Sequence, residues 1–268
     1  MALSSQQQSE LEGWLALYVA NVTDLDARVV DAVQAAYADV DDWFNPTLTL
    51  AAATTAAANA RAGLDLQSGF MTQFLAGILD VLAGVTVTRR APTVDYPRRA
   101  EPFDVYSRPV FTARETLRAV PDTPADLLGA ADYAAVLAET DALLARRDAA
   151  LAIFDETGVV NGYRRVIRPE LSETGTCGLC IAAAARLYKT DELMPIHTRC
   201  KCTVLPIVDG NDPAAGFNIA DLEALYAATP GTSRRDLAKT RYRIRRDGEL
   251  GPLLIPSDRR GVPRLGAA

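Results

Sequence analysis

The chain has 268 residues, 49% of them apolar, which is enough for a sizeable core in one large domain or two small ones. Alanine, leucine and valine dominate the apolar part and aromatics make up 7%, a mix that favours helices packed closely through small side chains. The net charge of −6 is uneven: residues 234–268 hold ten Lys/Arg against four Asp/Glu, leaving eighteen against thirty elsewhere. An acidic body with a basic tail suggests that the tail meets something anionic, although a solvated charge run has the same composition.

Met1 to Glu10 is polar, with Gln6, Gln7 and Gln8 and no basic start, so no secretory signal is expected. Leu11, Leu15, Tyr18, Val22, Leu25, Val29, Ala32 and Ala36 alternate spacings of four and three, a heptad stripe. It fits a partner-binding helix, or more simply the chain's own bundle. Asn45 and Pro46 mark a turn. An Ala-rich run from Leu50 to Gly63 and a stripe at Phe70, Phe74, Ile78 and Leu82 read as two further helices. Phe70 to Val87, the longest apolar stretch, is interrupted by Gln73, Asp80, Gly77 and Gly84, so a buried amphipathic helix is expected and a membrane span is not.

Residues 89–110 hold Pro92, Pro97, Pro102 and Pro109 with Arg89, Arg90, Arg98 and Arg99. Proline removes backbone donors and fixes φ, so an extended, irregular arm is expected. Its four arginines are candidates for pairing with an acidic partner surface. Helix resumes near Thr112 to Val120. Another helix opens at Pro124, carries Leu143, Leu144, Leu151 and Phe154 on its apolar side, and ends near Thr157 with Gly158 as C-cap. Tyr163 to Arg168 reads as a short strand stopped by Pro169, and Thr203 to Val208 as a second strand. Asp209 to Pro213 is a turn and Ile219 to Ala228 a short helix, before the basic tail.

All four cysteines and the only histidine fall between these strands, as Cys177-x2-Cys180-x16-His197-x2-Cys200-x-Cys202. Clustering without a secretion signal points to metal rather than to a disulfide framework. Zinc takes four tetrahedral N/S ligands, and ligands two residues apart reach one ion from a tight turn, here with Gly178 inside it. Five candidates compete for four places. Cys177, Cys180, His197 and Cys200 are the favoured set and Cys202 the alternate, since Cys200 and Cys202 face the same way on a strand. Four protein ligands leave no open position, and no His-Glu-x-x-His or suitably spaced glutamate is present, so the zinc is expected to be structural and no catalytic residue is assigned.

Thr176 to Ile181 with its Cys-x2-Cys, Tyr188, and the run from Leu193 through Pro195, His197, Cys200, Lys201 and Cys202 to Val204 resemble the C-terminal signature of Mu F-like phage head-morphogenesis proteins. The likeness is nearest to minor capsid proteins of actinobacteriophages, and it covers Gly162 to Ile207. It implies a low-copy virion component, made in the host cytoplasm and placed near the portal vertex. Its partners would be the portal protein or the major capsid protein.

Two other functions compete. Some such relatives are capsid maturation proteases, but a Ser-His hydrolase needs a free imidazole, and no Gly-x-Ser-x-Gly or Ser-x-x-Lys motif is present. A nucleic-acid-binding zinc protein would use the tail, through Arg234, Arg235, Lys239, Arg241, Arg243, Arg245 and Arg246, in salt-sensitive contacts with the phosphates of packaged DNA. The expected architecture is mainly α: a helical bundle over 1–157, a small α+β zinc module over 158–208, and a short helix with basic tail over 209–268.

Overall fold

The fold is mainly helical, with two small antiparallel sheets near the C-terminus, in a computed structural model that describes residues 3–84, 95–168, 171, 180, 183–184, 186–196, 200–219 and 242–256. Four long helices come first: α1 (Ser5–Ala35), α2 (Pro46–Ala83), α3 (Pro102–Ala119) and, after a 3-10 turn at Ala125–Leu127, α4 (Ala130–Thr157). The first sheet has the order β2-β1-β3, from β1 (Val160–Val166), β2 (Leu187–Tyr188) and β3 (Thr203–Val208). A hairpin of β4 (Tyr242–Asp247) and β5 (Gly251–Pro256) forms the second.

Each helix boundary has a local cause. Asn45 caps α2 by accepting the Thr47 and Leu48 N–H groups at 2.9 and 3.4 Å, and Pro46 stands at the first helical position, where its missing N–H costs nothing. Pro102 plays the same part in α3. Gly158 follows α4 with φ +62°, the left-handed conformation expected of a C-terminal glycine cap.

The helices differ from the sequence reading in three respects. Residues 50–82 form one helix, not two, because Gly63 serves close packing and does not break the chain. A Cβ there would lie 2.6 Å from Val29 Cγ2 on α1. The proline arm is shorter than expected: residues 95–101 are irregular, but α3 begins at Pro102 and carries Pro109 in its interior. One proline sits at N1 and the other is buried, so packing retains a helix that Pro109 alone would disfavour. The stripe on α1 follows a helical rather than a heptad period. Leu11, Leu15, Tyr18, Val22 and Val29 are buried as read, but the face slides onto Asp26, Val33 and Tyr37, leaving Leu25, Ala32 and Ala36 half-buried. This is the chain's own core.

Packing divides the chain into two units: 1–19, 74–88 and 150–268 in one, 20–73 and 89–149 in the other. The boundaries fall inside α1, α2 and α4. In the second unit, Val29, Val33, Tyr37, Trp43, Ala56, Val105, Tyr106 and Leu137 share one apolar cluster. Two buried polar knots accompany it. Arg146 donates to Asp26 and to Gln67 Oε1, the Asp26 contact at 2.5 Å. Asp141 accepts from Arg98, from Tyr96 at 2.7 Å and from Tyr106 at 2.8 Å. Burial pushes the Asp141 carboxyl up, against the Arg98 charge and these hydrogen bonds.

Among the described residues, Pro46–Ala83 is the one helix long and apolar enough to cross a membrane, with 56% of its most apolar window buried in the protein. That burial matches the core helix expected from the sequence. In the first unit, Tyr18 and Phe74 pack with ring centroids 4.9 Å apart, and Tyr163 lies between Phe154 and Tyr188 at 5.5 and 5.3 Å.

Candidate metal centre

The site is built on the pairing of β1 with β3. Their antiparallel register sets Tyr163 opposite Pro206 and Arg165 opposite Val204. Paired residues face the same side of a sheet, and alternate residues of an extended chain do too. Cys202, just before β3, and Cys200 before it therefore share the face of Arg165. Cys180 reaches the same place from a helical stretch of backbone.

The sulfurs of Cys180, Cys200 and Cys202 all lie within 4.8 Å of one another, and Cys180 Sγ is 3.7 Å from Cys200 Sγ. The three residues are 2, 2 and 5% exposed. Zinc–sulfur bonds of about 2.3 Å at tetrahedral angles would set sulfurs about 3.8 Å apart. These thiols could hold a metal ion.

The neighbouring Cys200 thiol, together with burial, pushes the Cys180 thiol up; the Cys180 and Cys200 thiols and burial do the same to Cys202. Without a metal these groups keep their protons.

Cys202 thus belongs among the thiols that meet, as the two-residue alternation that sets it on the side of Cys200 allows. Cys177 and His197 lie outside the described residues, so the favoured set of four is described only at Cys180 and Cys200.

Arg165 is the residue the sequence reading missed. It is fully buried, and its Nη1 donates to Cys180 Sγ and Cys200 Sγ at 3.4 Å each, while its Nη2 donates to the Pro195 carbonyl. Burial opposes its charge, which the sulfurs of Cys200, Cys202 and Cys180 would favour once they are thiolates. The available signal was strand parity: Arg165 shares a face with Tyr163, an aromatic residue expected in the core. The other side of the strand explains Arg164, which pairs with Asp212 at 2.7 Å and donates to the Ala184 carbonyl.

The surroundings hold the strand in place. Buried Asn218 donates to the Arg165 carbonyl at 2.7 Å and accepts from the Ile167 N–H at 3.0 Å. It lies on a helical segment at 213–219, which starts earlier than the helix read at 219–228; residues 220–228 are outside the described set.

Part of the basic tail is also a structured element. Residues 242–256 form the β4–β5 hairpin, and β5 pairs with the residue before His197. The Ile196 N–H donates to the Pro252 carbonyl at 3.1 Å, and the Leu254 N–H to the Ile196 carbonyl at 2.6 Å. Two apolar strand residues, Leu253 and Leu254, explain why a segment that reads as a charge run folds here.

The expected contact residues are dispersed. Arg234, Arg235, Lys239 and Arg241 lie outside the described residues. Arg243, Arg245 and Arg246 fall on β4, where alternation separates Arg245 from Arg246; both are exposed, and Arg245 is 3.5 Å from Asp247. Arg89 and Arg90 are also outside the described residues. Arg99 is exposed, but Arg98 is buried and pairs with Asp141, so it is not available to a partner as the sequence reading expected. Its long side chain bends inward because Asp141 on α4 is the counter-charge.

Nothing matches this chain among family models, curated proteins or solved structures.

Proposed function

We propose that this chain is a structural assembly protein whose C-terminal module is closed by one zinc ion, and that it acts as a minor head protein of a bacteriophage. The observation that carries the metal part is the meeting of three buried thiols from two separate chain segments, Cys180 and the 200–202 stretch. The strands of this sheet are only seven, two and six residues long, and a metal cross-link between Cys180 and the 200–202 stretch would tie their connecting segments together. Zinc is the ion whose tetrahedral, thiolate-rich preference suits this donor set. Burial of the ligands favours a structural ion over one that must admit a substrate.

The head-protein part rests on the resemblance of Gly162 to Ile207 to the Mu F-like signature. In that role the protein sits near the portal vertex, contacts the portal or major capsid protein, and turns the exposed arginines of β4 toward packaged DNA. Co-expression with a bacteriophage portal protein and major capsid protein from the same source tests this. The chain is expected to co-sediment with assembled heads, and Cys200→Ser to reduce that association. Heads that assemble without taking up the chain would contradict the reading. So would cleavage of the capsid protein only when the chain is present, which would favour the protease.

A further inference from the structure

Arg165 is among the largest side chains wholly withdrawn from solvent, and among the described residues no carboxylate pairs with it. Its partners are the sulfurs of Cys180 and Cys200 and the Pro195 carbonyl. A buried guanidinium is costly unless an anion accompanies it, and arginine does not shed its proton. Neutral thiols are weak acceptors and carry no negative charge. Three thiolates on a divalent cation do, with one net negative charge that matches the guanidinium. Four thiolates would carry two, one more than Arg165 balances.

We propose that Arg165 is a positioning residue of the metal centre, the built-in counter-cation of a divalent ion held by the thiolates of Cys180, Cys200 and Cys202 with an uncharged fourth ligand. This rests on the metal-site reading above. The guanidinium fork donates to two sulfurs at once, so it fixes their separation as well as balancing their charge. Its own place is set by strand β1 and by Asn218, which grips the Arg165 backbone.

The test uses the full chain and two variants, Arg165→Gln, which removes the charge, and Arg165→Lys, which keeps it. Zinc affinity is measured by competition with a chromophoric chelator. Circular dichroism monitors the fold, and cobalt(II) substitution reports the thiolate-to-metal absorbance per bound ion. Arg165→Gln is expected to bind zinc roughly 10–100-fold more weakly, the usual cost of losing a partner of metal ligands. Arg165→Lys should recover most of that loss, and wild-type cobalt absorbance should match three thiolates. Unchanged affinity in Arg165→Gln, or absorbance matching four thiolates, would overturn the inference while leaving the metal site standing. A wild-type chain that binds neither zinc nor cobalt would remove both. If Arg165→Gln does not fold, Arg165→Lys decides: affinity near wild type supports the role of the charge, and affinity as weak as that of Cys200→Ser overturns it.

Discussion

Gly63 and Val29 show how a single position sets the path of a helix. A Cβ at 63 would come within 2.6 and 2.7 Å of the two Val29 methyl carbons, which cannot swing away from a β-branched stem. Gly63→Ala gains about 1 kcal/mol of helix propensity but overpacks by about 1–3 kcal/mol, so we expect a net loss of stability. In a Val29→Ala background both methyl contacts go and the 3.2 Å approach to the residue-29 Cβ remains, so the same substitution should cost much less. Urea unfolding of the four proteins measures that coupling.

The thiols make a second prediction at this scale. A thiol with a raised folded-state pKa keeps its proton while the unfolded chain loses its own near pH 8.5. Cys180 and Cys202 are both shifted upward, so the unfolded state binds fewer protons above that pH. Their contribution to metal-free stability is therefore fully present below about pH 8.5 and declines as pH rises beyond it. The urea midpoint of the chelated protein should be lower at pH 9.5 than at pH 7.5. Zinc affinity should move the other way between pH 6 and 8, because uptake releases these protons.

Among the elements, α4 carries one half of each buried charge pair, Asp141 with Arg98 and Arg146 with Asp26. Removing one partner strands a buried charge, so Arg98→Met should cost about 3–5 kcal/mol in thermal or urea unfolding. The double variant Arg98→Met, Asp141→Leu should cost less than the sum, since it strands no charge, with the remaining cost set by the Tyr96 and Tyr106 hydroxyls that lose Asp141 as acceptor. The β4–β5 hairpin has a different dependence. Its backbone bonds run to Ile196, between Cys180 and Cys200 in the chain. Chelation should raise amide exchange in residues 251–256 ahead of α4, and an unchanged exchange rate there would separate the hairpin from the metal.

These elements also show what the sequence made legible. Thr203 to Val208 was readable to the residue because β-branched and apolar residues fill it, and Gly158 because a C-terminal glycine has one use there. The single helix α2 was hidden, since Gly63 looks like a break until Val29 is known to lie against it. Arg98 looked solvent-facing because its counter-charge is 43 residues away. The hairpin was masked by its arginines, whose charge says nothing about backbone pairing.

At the scale of the whole molecule, α1, α2 and α4 each contribute to both packing units. Residues 150–268 share a unit with both the start of α1 and the end of α2. A metal ion at the three thiols would therefore tie a unit that also includes the chain's first helix turns. Cys180, Cys200 and Cys202 were legible as ligand types from spacing, but their joining depends on the β1–β3 register. Arg165, which donates to two of these sulfurs, was visible only as one more arginine.

The metal site is tested most directly by native mass spectrometry of the full chain purified without added metal, beside Cys200→Ser and Cys202→Ser. We predict about one zinc per wild-type chain, with thiols that resist alkylation until a chelator is added, and loss of the ion in both variants. A wild-type chain that carries no metal and alkylates readily would contradict the account.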